Sequence, residues 1–169
     1  RRQRQMCIRD SLKTAVLLAA SLKIGARLGG ASVEDADRLY DFGMHIGVAF
    51  QLKDDLLDVY GNAKVFGKNI GGDILCNKKT YMLIKALEHA NADQHNQLNS
   101  WINAETFQPA EKIAAVTELY DRIGVKAVCE NKILEYSNRA MESLAAVSIA
   151  EEKKEELKKI IENLIHREV

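Results

Sequence analysis

Proline is almost absent. Pro109 is the single one in 169 residues, so long segments run without a helix breaker. Strand-type alternation is scarce as well. Cysteine is sparse and odd in number: Cys7, Cys76 and Cys129 stand at irregular spacings. They make no metal-ligand pattern and no disulfide framework, which points to a reducing, cytoplasmic setting. Neither sign of charge is in excess, with 24 Lys and Arg against 24 Asp and Glu. That excludes the basic footprint of a nucleic-acid binder. No long apolar run exists. The stretch Thr14 to Leu22 meets Lys23 well short of the roughly 20 residues a membrane span needs. Arg1, Arg2 and Arg4 suggest a basic leader, but Gln5 to Ser11 is polar and supplies no signal-peptide core. No serine or cysteine nucleophile sits in a recognisable pairing with a base. His45, His89, His95 and His166 are scattered without ligand spacing.

What is present is helical. The hydrophobic fraction, 47%, is ordinary for a globular protein, and the length suits one domain with a real core. A first helix is expected from Leu12 to Leu28, stopping at Gly29-Gly30. Ser32 with Asp35 gives a capping-box-like start to a second. Its apolar positions Leu39, Phe42, Ile46, Ala49 and Phe50 recur at helical spacing, and it continues through Asp54-Asp55 towards Tyr60. Gly61 to Gly72 reads as a glycine-rich loop. Helices follow from Asn77 to Ala90 and from Asp93 to Ala104. Another starts at Pro109, carries Ile113, Val116, Leu119, Tyr120 and Ile123, and is interrupted or kinked at Gly124. Ile133, Tyr136, Ala140, Leu144 and Val147 mark a further one. Ser148 with Glu151 is expected to cap the last, whose stripe is Leu157, Ile160, Ile161, Leu164 and Ile165. The expected product is all-α. The run Met6 to Ser11 also reads like the translation of a library-preparation adapter, ATG TGT ATA AGA GAC AG. Residues 1–11 are therefore expected to be a non-native leader.

The sharpest chemical feature is Phe50-Gln51-Leu52-Lys53-Asp54-Asp55-Leu56-Leu57-Asp58. Asp54 and Asp58 are four apart, so their carboxylates share a helix face. They repel unless a cation lies between them, and aspartate is a poor residue for a helix interior. Magnesium gives a reason: it takes oxygen ligands, often one or two carboxylates plus substrate phosphates, and keeps several waters. The plainer alternative is a solvated acidic turn near a helix end. Lys68 in the glycine-rich loop and Lys78-Lys79, expected to open the next helix, favour the metal reading. Carboxylates would hold the ion while lysines act as point charges on phosphate oxygens. The alternative for these lysines is a solvated surface, although cations at a helix start oppose its dipole. Lys13-Thr14 lies in an apolar helical segment, as a functional pair or as a snorkelling lysine beside a threonine. Trp101 and the tyrosines fit packing roles.

Gly47-Val-Ala-Phe-Gln-Leu-Lys-Asp-Asp-Leu-Leu-Asp58 closely resembles the second aspartate-rich motif of the trans-isoprenyl diphosphate synthases. This family includes farnesyl and geranylgeranyl diphosphate synthases. The resemblance continues through Phe66 to Ile74 and Asn77 to Tyr81, and upstream in Lys13-Thr14-Ala15. It implies a helical bundle around a deep cavity. Three magnesium ions hold an allylic diphosphate between two aspartate clusters; the diphosphate departs, and isopentenyl diphosphate attacks the allylic cation head to tail. Carried onto this sequence, Asp54 is the principal magnesium ligand, with Asp55 and Asp58 supporting it directly or through water. Lys68 and Lys78 hold the allylic diphosphate. Gln51 and Thr14 line the cavity, Lys13 helps orient the substrate, and Arg167 corresponds to a basic tail. A homodimer is implied for the full-length protein.

Two departures qualify the resemblance. Asn62 stands where an aspartate is common after Tyr-Gly, and no first aspartate cluster occurs upstream of Lys13. Residues 12–169 are accordingly read as the C-terminal part of one synthase domain, inactive alone. A terpene cyclase is a second reading, disfavoured by the Lys-Thr and Gly-Lys-Asn-Ile-Gly-Gly-Asp segments. A third is a non-catalytic helical subunit that modifies a partner synthase, disfavoured by the intact Asp-Asp-Leu-Leu-Asp and both lysines.

Overall fold

The computed structural model describes residues 14–61 and 70–166, and every regular element among them is helical. The helices are α1 (Val16–Leu28), α2 (Val33–Tyr60), α3 (Gly72–Leu75), α4 (Tyr81–His89), α5 (Ala92–Asn103), α6 (Pro109–Ile123), α7 (Val125–Ala145) and α8 (Glu155–His166). A 3₁₀ turn, Glu151–Lys153, precedes α8. The described residues divide into two compact units, 54–130 and 14–53 with 131–166, and α2 and α7 belong partly to each.

In the unit of 14–53 and 131–166, small residues decide how closely helices approach. A Cβ built on Gly43 would lie 2.5 Å from the Cα of Ala19, and one on Gly47 2.5 Å from the Cα of Ala15. Both pairs are four apart, so α1 and α2 touch backbone to backbone along two turns. Phe42, Ile46, Ala49, Ile133, Ala140, Leu144, Ile161 and Leu164 bury the rest. Phe50, expected on the same stripe, is instead 39% exposed. Ser32 caps α2 by accepting the Asp35 amide at 3.0 Å. The reciprocal half of that capping box does not form as expected. The Asp35 carboxylate accepts the Ser148 amide at 3.0 Å and pairs with Arg38 at 3.0 Å. Ser148 is thereby engaged with α2 and does not cap the last helix. Glu151 pairs instead with Lys154 and Lys158.

In the unit of 54–130, α6 packs against α3, α4 and α5. Its core is Leu56, Leu57, Ile74, Met82, Leu98, Val116, Leu119 and Tyr120. Pro109 occupies the first turn of α6, and Gly124, at φ 81°, ends it. Asn91 and Gln94 form a full capping box on α5. The expected helix from Asn77 is corrected. Asn77 adopts φ 49°, a left-handed backbone, and breaks the chain after the single turn of α3. Thr80 then caps α4 by accepting the Leu83 amide at 3.2 Å. Lys78 and Lys79 therefore stand in the connection between helices, and the dipole argument about them lapses.

Candidate functional site

The last turns of α2 present Asp54 and Asp58 half-buried on one face and place Asp55 in the interior, its side chain 1% exposed. A leucine-rich helix end sets this pattern. Leu56 and Leu57 are both buried, so Asp54 and Asp58 on either side are carried to the edge of the core while Asp55 turns inward with the leucines.

Asp58 organises the turn that follows. Its backbone carbonyl accepts the Gly71 amide at 2.6 Å, and its carboxylate accepts the Asp73 amide at 2.8 Å. Gly71 is required here twice over. It has φ 85°, and a Cβ would lie 2.7 Å from the Ile113 side chain. Burial raises the Asp58 pKa above the usual carboxylate value. The Asp73 carboxylate adds to that rise, while the Asp73 and Gly72 amides and the Lys78 charge work against it.

Lys78 crosses this turn. Its ammonium lies 3.0 Å from Asp55 and 2.5 Å from Asp73. Burial disfavours the charged lysine, but bonds and charges from Asp73 and Asp55 outweigh it and hold the pKa above the ordinary value. Of the residues singled out by sequence, the structure thus gathers Asp55, Asp58 and Lys78, with Asp54 one helical turn before Asp58. Lys79 is exposed. Lys13, Lys68 and Arg167 lie outside the described residues.

In the unit of 14–53 and 131–166, Thr14 and Gln51 come together. The Thr14 hydroxyl lies 3.4 Å from Gln51 Oε1 and can donate to it. The Gly47–Ala15 contact explains the meeting, since each partner is within a turn of it. An open cavity of about 770 Å³ is lined by Thr14, Leu17, Ile46, Gly47, Phe50 and Leu164, among others.

Asp73 was missed by sequence reasoning, although it follows a Gly-Gly pair and precedes Lys78 by five residues. Its role needs the left-handed break at Asn77, which no local pattern announces.

The donor set suits magnesium. Carboxylates are hard oxygen ligands, and Asp58 is destabilised as an anion by burial and by Asp73. Among the described residues no three acidic, histidine or cysteine side chains converge as a closed cage would. An ion here would complete its shell with water and phosphate, as magnesium commonly does.

The polyprenyl synthetase family model matches residues 7–120. The chain belongs to the polyprenyl synthetase family. A short chain isoprenyl diphosphate synthase of Methanothermobacter thermautotrophicus is 34% identical over 156 residues, covering 92% of this chain and 47% of that protein. Among solved structures, a geranylgeranyl pyrophosphate synthase superposes with a TM-score of 0.89 at 32% identity, over 97% of this chain and 51% of that one. A second, from Corynebacterium glutamicum, gives 0.83 at 31% identity, over 94% of this chain and 45% of that one. Its crystals contained isoprenyl diphosphate and magnesium. The chain thus spans about half the length of the polyprenyl synthetase relatives it matches. The all-helical fold agrees with theirs. No helix among the described residues is long and apolar enough to cross a membrane.

Proposed function

We propose that this chain forms part of a prenyltransferase that condenses an allylic diphosphate with isopentenyl diphosphate head to tail. It would supply one wall of the magnesium and diphosphate site. The observation that carries this reading is the Lys78 ammonium set between Asp55 and Asp73 beside Asp54 and Asp58, in a chain of the polyprenyl synthetase family.

Asp54 and Asp58 are the carboxylates placed to hold an ion at the edge of the helix, with Asp55 set deeper. Magnesium bound there would act as a Lewis acid that neutralises charge on the diphosphate. Lys78 supplies a compact positive charge to the same phosphate oxygens, and the bonds and charges of Asp73 and Asp55 favour its charged form. Lys68 is proposed as a second phosphate contact. Thr14 and Gln51 are proposed to line the prenyl cavity, held together by their mutual bond. Lys13 is proposed to orient the same substrate. The apolar cavity walls would exclude water, which would otherwise trap an allylic cation. A homodimer is the proposed state of the whole enzyme.

The chain carries one aspartate cluster, so diphosphate binding tests the reading more directly than turnover does. Titration calorimetry with inorganic pyrophosphate should show binding that requires magnesium. Asp54→Ala should abolish that requirement or the binding itself. Magnesium-independent binding, equal in Asp54→Ala, would overturn the assignment.

A further inference from the structure

Lys112, in the first turns of α6, is fully buried at 1% exposure, yet among the described residues no carboxylate forms an ion pair with it. Its ammonium lies 2.8 Å from Asn77 Oδ1 and 4.2 Å from the centre of the Phe107 ring. Burial lowers its pKa, with the Cys76 side chain opposing. A lysine buried against an amide and a ring, with no carboxylate among the described residues to pair it, is costly, so its retention asks for a reason.

The reason lies in what Asn77 does. It is the described non-glycine residue with positive φ, 49°, and its side chain is clamped at both ends. Its amide nitrogen donates to the Ile102 carbonyl at 3.0 Å, one of the carbonyls left open at the end of α5. Its amide oxygen accepts from Lys112. Lys112 also fixes which way round the amide sits, because an ammonium can only donate. The next residue in the chain is Lys78. Asp73, Asn77, Lys78 and Lys112 all line one small cavity of about 20 Å³, so Lys112 and the ion-paired turn border the same space.

We propose that Lys112, acting through Asn77, is a positioning residue for Lys78. By clamping the Asn77 side chain it holds the left-handed turn that delivers the Lys78 ammonium to Asp55 and Asp73. Its bearing on diphosphate binding rests on the function proposed above, but the clamp itself does not.

Two variants separate this from a merely structural lysine. Asn77→Gly keeps the left-handed backbone accessible and deletes both clamps. Lys112→Met keeps the length and removes the donor. The first readout needs no ligand: carbon-13 NMR of the reductively methylated chain, with the Lys78 resonance assigned by its loss in Lys78→Arg. Both variants should move that resonance to the position of an exposed lysine. Lys154→Met, which removes a buried lysine of the other unit, should leave it in place. A Lys78 resonance unmoved in folded Asn77→Gly overturns the proposal, and this variant carries the test if Lys112→Met fails to fold. The second readout is pyrophosphate affinity with magnesium. Asn77→Gly should weaken it about tenfold, and should weaken it no further when Lys78 is already methionine. Equal weakening in both backgrounds overturns the proposal. If the unaltered chain binds no pyrophosphate, the diphosphate reading falls and the NMR result alone decides the clamp.

Discussion

The seam between α1 and α2 holds Thr14 beside Gln51 with almost no side chain at the contact. Gly43 and Gly47 face Ala19 and Ala15, and the backbones themselves set the distance. The turn after α2 holds Lys78 beside Asp55 and Asp73 with charge. Two carboxylates, one ammonium, the Asp58 cap and the Asn77 clamp set the geometry. The first arrangement tolerates no added volume and is indifferent to ions. The second also has a tight spot, Gly71 against Ile113, but its geometry depends above all on the polar partners being present. The two regions therefore fail by different substitutions, although each presents polar groups that the proposed chemistry uses.

The largest effect expected from this contrast is steric. Gly47→Val must push α1 off α2, and should cost about 3 kcal/mol or more, read by urea denaturation. A cost below about 1 kcal/mol would mean that the contact of Gly47 with Ala15 does not set the helix spacing. Next comes charge. Lys78→Met removes a partner of the buried Asp55 and should cost about 2 kcal/mol. At about 1 M salt that loss should shrink modestly, because the Lys78 ammonium is partly exposed although Asp55 is buried, while the Gly47→Val loss should not change. Equal salt dependence would break the comparison. Smaller and opposite in sign is Gly25→Ala. Gly25 lies in the same α1, and a Cβ there meets nothing within 4 Å. Alanine should stabilise the chain by about 0.5–1 kcal/mol, seen as a higher denaturation midpoint. A loss at Gly25 would mean that α1 tolerates no added carbon anywhere.

The least effect concerns pH. His45, in the seam's unit, is half-buried near Tyr136 and 3.4 Å from the Ser143 hydroxyl. Burial lowers its pKa below the usual 6.5. Arg139 adds to this through its charge, while Asp41 and Glu142 and a bond involving the Arg139 backbone oppose it. The unfolded chain therefore takes up the proton first. The contribution of His45 to stability is full above about pH 6.5 and is lost as pH falls through that value towards the lower folded pKa. His45→Gln should flatten this slope in denaturation midpoints taken from about pH 7.5 to about pH 5. An unchanged slope would assign the acid sensitivity to other groups.

The helices were legible because their signals are local. Phe42, Ile46 and Ala49 repeat at helical spacing, Pro109 starts α6, and Gly124 ends it with positive φ. The aspartate cluster was legible for the same reason. The turn was not. Asn77 looks like an ordinary first residue for a helix that runs to Ala90, and its left-handed backbone depends on Ile102 and Lys112, both more than twenty residues away. A still longer separation hid the Ser148 contact to Asp35. Two signals were available and went unread. Lys112 sits four before Val116 and eight before Tyr120, on the buried stripe of α6. Ala15 and Ala19, with Gly43 and Gly47, repeat the spacing of a close helix contact.

The bond from the Asp73 amide to the Asp58 carboxylate turns one backbone proton into a reporter. While the carboxylate stays on the turn, that proton is shielded from solvent deuterium. Whatever draws Asp58 outward must let it go. Its exchange rate would therefore record, at a single amide, how often the acidic cluster releases the chain segment it otherwise ties down.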